Sequence, residues 1–319
     1  MKRTPNLKMT LLAVAAAFCC LLPAGDFIAA QGARRGPVRP VTIPVTVRLD
    51  DTDEPRGEEF RTVNLVVMED GERQEILATR SAADRSPLYL AVLVQDDLVP
   101  AVSTEISTIA SFIRRLPEGS QVLVGYMRTG SIQIRQRFTT DRERAARSLR
   151  IPLGTPTSGP YNPYVAVNEA LKRYQSQPVG RRAMIVVSDG LDVSRGIDSS
   201  RPGQSIDLQR AIDEAQRRGV AIYTIFAPTY GSDTNRMLAG NGLSSLARLS
   251  EETGGRTFNQ LPSAPVSFEP FMRQIESRLA RQIALTYLST HGDKGYHRIK
   301  IETANSDVEI DHPAGYRRQ

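Results

Sequence analysis

Cysteine is almost missing from this 319-residue chain: the only two, Cys19 and Cys20, stand side by side in an apolar run near the N-terminus. Everything downstream is therefore built without disulfides, thiol catalysis or Cys-based zinc sites. Trp is absent, and the three His, at 291, 297 and 312, have spacings that match no helical metal pair. There is no Gly-x-Ser-x-Gly, no Gly-x-x-x-x-Gly-Lys and no His-Glu-x-x-His. The usual signatures of serine hydrolysis, P-loop phosphate binding and zinc proteolysis are thus missing, and the chain is expected not to be an enzyme. Aromatics amount to 6% and do not interleave with basic residues, which argues against a nucleic-acid module.

What is present is ordinary globular composition, 40% hydrophobic and 24% charged. Lys2, Arg3 and Lys8 precede a nearly continuous apolar stretch from Met9 to Leu22, and Ala29-Ala30 offers small residues before Gln31. Residues 1–30 are expected to be a cleaved export signal, giving a secreted or periplasmic protein whose only membrane contact is that signal. Pro23, Gly25 and Asp26 end the run short of the roughly 20 residues a spanning helix needs. Residues 31–40 are rich in Gly, Arg and Pro and read as a linker. The scattered arginine pairs, Arg181-Arg182 among them, read as solvated helix ends and strand edges.

From Val41 the apolar period is two. Val41, Ile43, Val45, Val47 and Leu49 alternate, Asp50 to Pro55 make a polar turn, and Val63, Leu65 and Val67 alternate again before Asp70-Gly71, a strong hairpin signal. Ile76 and Leu77 fall in a third strand, so residues 41–85 form an N-terminal β segment. Residues 86–280 then alternate strands with helices. Leu88–Val94, Val122–Tyr126, Ile132–Phe138, Ala183–Val187 and Val220–Phe226 are strand-like. Helical stripes run through Val102 to Leu116, Val167 to Tyr174, Leu208 to Ala215, Leu246 to Leu249 and Phe268 to Leu279. That alternation predicts an α/β fold with a doubly wound, mostly parallel sheet. Residues 281–319 return to short strands, at Ile283–Leu288, His297–Ile301 and Val308–Ile310. One small β unit made from both flanks, with the α/β block inserted, is the expected arrangement.

Open α/β sheets bind ligands beyond the carboxyl ends of their strands. Asp96 and Asp97 follow the first such strand, and Asp189 and Asp192 follow Ala183–Val187. Oxygen groups converging from separate loops suit Mg²⁺ or Ca²⁺. Alternatively, Asp189-Gly190 is a turn and the other carboxylates cap helix N-termini. The three His, in or beside the terminal strands, read as surface residues.

The run Leu88 to Asp97, the segment Ala183-Met-Ile-Val-Val-Ser-Asp-Gly190 and the strand Val220 to Ile225, in this order, resemble a von Willebrand factor type A (VWA) domain. Val67 to Ile76 ahead of it, with Tyr296 to Ile301 and Pro313 to Tyr316 behind, is similar to bacterial secreted VWA-related proteins. The resemblance implies a Rossmann-like fold and a metal-ion-dependent adhesion site built from Asp-x-Ser-x-Ser, a Thr and an Asp. Laid on this chain, the first Asp falls on Asp96, which puts Leu98 and Pro100 at the hydroxyl positions and Tyr161, beside Pro160, at the Thr. Only Asp189 matches well, and starting from Asp97 gives Val99 and Ala101 instead. The implied site is therefore degenerate, with no cofactor and at most weak Mg²⁺ or Ca²⁺ binding. Its face comprises Asp96, Asp97, Leu98, Pro100, Tyr161, Asp189 and Asp192. The implied function is binding of a protein partner, metal-independent and without nucleic acid. Two alternatives stay open: an envelope scaffold whose terminal β unit does the binding, and a metal-dependent adhesion module.

Overall fold

All eight residues from Leu88 to Gln95 are buried, as a strand covered on both faces must be. In the computed structural model, which describes residues 38–49, 64–154, 161–229, 235–259, 267–306 and 308–318, this strand is the fourth of thirteen. The export signal, residues 31–37 of the linker, the turn at 50–55, Val63 and Pro160 lie outside the described residues. Among the described residues, no helix is long and apolar enough to cross a membrane.

Strands β1 (Arg39–Leu49), β2 (Leu65–Glu69) and β3 (Glu72–Arg80) precede β4 (Leu88–Gln95). Then come β5 (Gln121–Arg128), β6 (Ser131–Thr139), β7 (Arg181–Ser188), β8 (Ala221–Phe226) and β9 (Thr257–Phe258). The last four are β10 (Gln282–Ser289), β11 (Gly295–Thr303), β12 (Val308–Asp311) and β13 (Gly315–Arg318). The helices are α1 (Ile106–Arg115), α2 (Arg142–Arg147), α3 (Pro163–Lys172), α4 (Ile206–Arg218), α5 (Arg236–Glu252) and α6 (Glu269–Arg281). Arg39 and Pro40, expected in the linker, are already in β1. The helix expected from Val102 is instead a 3₁₀ turn, Pro100–Glu105, running into α1.

A six-stranded sheet has the order β6-β5-β4-β7-β8-β9, parallel throughout except for β6 against β5. Alternation along β4 sends Leu88, Leu90, Val92 and Val94 to one face, where they pack with Ile109 and Phe112 of α1 and Met272 and Ile275 of α6. Tyr89, Ala91 and Leu93 go to the other, against Val167 and Leu171 of α3 and Leu208 and Ile212 of α4. This is the doubly wound α/β sheet that strand–helix alternation requires.

The other seven strands pair antiparallel in the order β12-β1-β10-β3-β2-β11-β13, mixing segments from before and after the α/β block. Asp70 and Gly71, both at positive φ, form the two-residue turn between β2 and β3. One face of this sheet buries Val45, Val67, Leu285, Tyr287 and Ile299. The described residues, from Val38 to Arg318, belong to one compact unit. Arg181, 3% exposed, donates to the carbonyls of Ser86, Leu279 and Gln282, where the chain enters and leaves the α/β block. Burial pulls its guanidinium down to about 10. Arg182 is also buried and bonds the carbonyls of Gln177 and Arg218. The expected solvated pair is thus structural, because backbone carbonyls left over at a seam can be satisfied by a guanidinium's several donors.

Candidate functional site at the carboxyl-end rim

Strands β4, β7 and β8 end side by side, at Gln95, Ser188 and Phe226, and the polar groups of the rim follow from strand alternation. Gln95 and Asp97, two residues apart, point together; Asp96 between them points away. The Gln95 amide oxygen accepts from Ser188 Oγ at 2.6 Å and from the Asp189 N–H at 3.0 Å, while its nitrogen donates to Asp97 Oδ1 at 2.9 Å. Asp189 Oδ1 accepts the Leu191 N–H at 3.1 Å, and Oδ2 accepts from Thr229 Oγ1 at 2.8 Å. Burial, with a contribution from the Asp97 charge, pushes the Asp189 carboxyl up to about 6. Burial raises Asp97 as well. The tight loop at Asp189-Gly190 rests on α5 through bare backbone: a Cβ on Gly242 would stand 1.9 Å from the Asp189 carbonyl oxygen.

Asp96 is 1% exposed and belongs to a different network. Arg150 grips it with both terminal nitrogens, at 2.7 and 2.9 Å, the Leu153 N–H adds a bond at 3.0 Å, and Arg128 stands at 3.4 Å. Burial alone would raise this carboxyl, but the Arg150 hydrogen bonds, the Leu153 N–H and the charges of Arg150 and Arg128 together outweigh it and hold Asp96 below the usual range. The Gly154 N–H bonds the Asp96 carbonyl, and Arg150 also lies 4.2 Å from the Tyr126 ring centroid. Residues 150–154 are thus clamped onto the rim with Ile151 and Leu153 facing solvent, 61% and 53% exposed.

The expected site residues separate into three groups. Asp97, Asp189 and Tyr161 come together: burial of the Tyr161 side chain, reinforced by the Asp189 and Asp97 charges, drives its hydroxyl far above its ordinary range. Asp96 does not face Asp189, and Leu98 and Pro100 are not where hydroxyl ligands would stand. Leu98 is a core residue bridged to Thr229, and Pro100 sits exposed at the start of the 3₁₀ turn. Asp192 orders its own loop, accepting from Ser194 and from Ser205 Oγ, the N-cap of α4. Gln95, Ser188, Thr229 and Arg150 were not foreseen. Counting alternate residues back from Asp97 would have found Gln95; nothing local marks Arg150.

These donors do not fit a hard cation, which takes about six oxygens. Both Asp189 oxygens and Asp97 Oδ1 are engaged by hydrogen-bond donors, Ser188 Oγ is spent on Gln95, and a guanidinium already neutralises Asp96. Among the described residues no group of three or more His, Cys, Asp or Glu is arranged to hold a metal.

His297 lies in β11 of the antiparallel sheet, while His291 and His312 stand in the connections beside it, and the surface reading of His297 is corrected. It is 5% exposed and bonds Asp70 Oδ2 at 2.8 Å and the Asp293 carbonyl at 2.9 Å, contacts that raise its pKa against the opposing effect of burial. The neighbouring Glu69 is fully buried, receiving Tyr316 OH at 2.7 Å and Ser289 Oγ at 3.0 Å.

No protein-family model matches the chain, and no curated protein matches it. Solved structures of similar shape include a conserved hypothetical protein, BatB, from Bacteroides thetaiotaomicron, at 14% identity and a TM-score of 0.42, covering 60% of this chain and 97% of that one. A von Willebrand factor type A protein from Catenulispora acidiphila has 10% identity and a TM-score of 0.44, with 86% and 74% covered. An aerotolerance-related membrane protein from Bacteroides fragilis has 13% identity and a TM-score of 0.42, with 60% and 98% covered.

Proposed function

We propose that this chain is a non-enzymatic protein-binding module of the VWA-related type, exported by its N-terminal signal, which docks a protein partner on the carboxyl-end rim without a metal bridge. The observation that carries this reading is the Asp96–Arg150 clamp. It supplies the positive charge a cation would bring, and it fixes Ile151 and Leu153 as an exposed apolar pair beside the rim. Exposed large apolar side chains held in a fixed geometry favour a protein partner over a small polar ligand. Ser188 is no free nucleophile either, since its hydroxyl is committed to Gln95.

The test is thermal unfolding with and without millimolar Mg²⁺ or Ca²⁺. A cation that binds only the folded state adds about 2.7 kcal/mol at a hundredfold excess over Kd, so binding cannot hide. The expected result is an unchanged Tm; a rise that disappears in Asp189→Ala would establish a metal-dependent adhesion site instead.

A further inference from the structure

The sheet edge at β6 is open, since this strand is first in the order β6-β5-β4-β7-β8-β9 and pairs on its outer side with no described strand. Along that edge runs a groove of about 710 Å³, within the range of binding clefts. Its border carries Arg135 and Arg137 of β6, Arg144 of α2 and Arg173, which follows α3. All four are exposed, and none makes a side-chain hydrogen bond or ion pair with a described residue. No described carboxylate lines the groove. Several arginines elsewhere are ion-paired, as Arg114 and Arg147 are with Glu143 and Arg218 is with Glu214.

We infer that the β6 edge is a second binding surface, which takes up an extended acidic segment of a partner protein as an added β-strand. Three features specify this occupant. The unpaired edge supplies backbone donors and acceptors, with β6 bulged against β5 between Ile134 and Thr139 and the Gln136 amide bonding the Arg137 carbonyl. Arg135 and Arg137 are both exposed, whereas Ile134, Gln136 and Phe138 beside and between them are half-buried. On the other face Ile134 and Phe138 offer apolar surface, with Phe138 stacked edge-on against Tyr89 and Tyr174. The matching strand therefore alternates acidic and β-branched apolar residues. Edge charges that only prevent aggregation require neither a hollow nor an apolar strip beside them.

The experiment titrates the full-length protein with a fluorescently labelled peptide of about ten alternating Glu and Val residues, alongside the same peptide N-methylated at every residue, a Glu-block–Val-block isomer and inorganic polyphosphate. The expected result is binding of the alternating peptide alone, weakened about fivefold in Arg135→Ser/Arg137→Ser with an unchanged Tm, and weakened by added salt. Equal binding of the N-methylated or block peptide removes strand addition and overturns the proposal. Equal binding of polyphosphate makes the groove a general polyanion surface and overturns it too. So does failure of the alternating peptide to bind, or its undiminished binding to the arginine variant.

Discussion

Asp189 gives the sharpest test of the rim's electrostatics. Its carboxyl is fully buried and held near 6, with an ordinary value of 3.8. A raised acid binds its proton more tightly in the folded state than in the unfolded one, so stability from this group falls as pH rises between those two values and is level on either side. At 1.36 kcal/mol per tenfold change, ionising Asp189 inside the fold costs about 3 kcal/mol. Asp96 and Asp70 are lowered instead, so their contributions are present above the unfolded value and are lost only as pH falls below it. The windows do not overlap. Asp189→Asn keeps the shape and the Thr229 hydrogen bond but cannot titrate, and Asp97, which shares the titration, is present in both proteins. Urea unfolding of wild type and variant from pH 4.5 to 7.5 should show the variant gaining on wild type by about 2 kcal/mol as pH rises. Two curves that stay parallel across that range would refute the burial of an ionisable group here.

Removing Arg150 leaves the buried Asp96 with Arg128 and the Leu153 N–H as weaker compensation: Arg150→Met should cost up to about 3 kcal/mol in urea unfolding, and Asp96→Asn/Arg150→Met should recover much of it. Gly242→Ala drives a methyl into the Asp189 carbonyl, and a drop in stability of about 2 kcal/mol or more is expected by calorimetry, whereas Gly240→Ala, with open space around it, should be neutral or slightly stabilising. If residues 1–30 act as the proposed cleaved export signal, the intact mass of protein recovered outside the cytoplasm should correspond to a chain starting near Gln31.

The legible parts of the fold were those whose signal is local. Leu88–Val94 and Ala183–Val187 are apolar without interruption, and only a strand covered on both faces wants that pattern. Asp70-Gly71 was readable because a two-residue turn needs positive φ. The unforeseen α2 carries Arg-Glu-Arg-Ala-Ala-Arg, in which two alanines make no apolar stripe, and β9 has only two residues. Arg181 defeated a composition reading, since charge normally marks surface and its carbonyl partners come from sequence positions far apart. The same limit governs the rim. Asp97 and Asp189 could be placed from strand ends, but Arg150 lies 54 residues from Asp96 in a segment without periodicity.

Closure of the rim on itself sets the kind of recognition it can support. A metal-bridged site gains affinity when a partner's carboxylate completes an open coordination shell. Here the carboxylates of Asp96 and Asp189 already meet guanidinium, hydroxyl and backbone donors, so an incoming acidic group would face competition rather than vacancy. On the proposed reading, affinity at this face comes from apolar contact and shape, and the clamp provides both at low entropic cost. The bonds from Arg150, Leu153 and Gly154 to Asp96 order the segment before any partner arrives, so Ile151 and Leu153 lose little freedom on docking. Removing the Arg150 grip should therefore weaken partner binding even though the guanidinium is turned inward, because it acts by holding its neighbours in place.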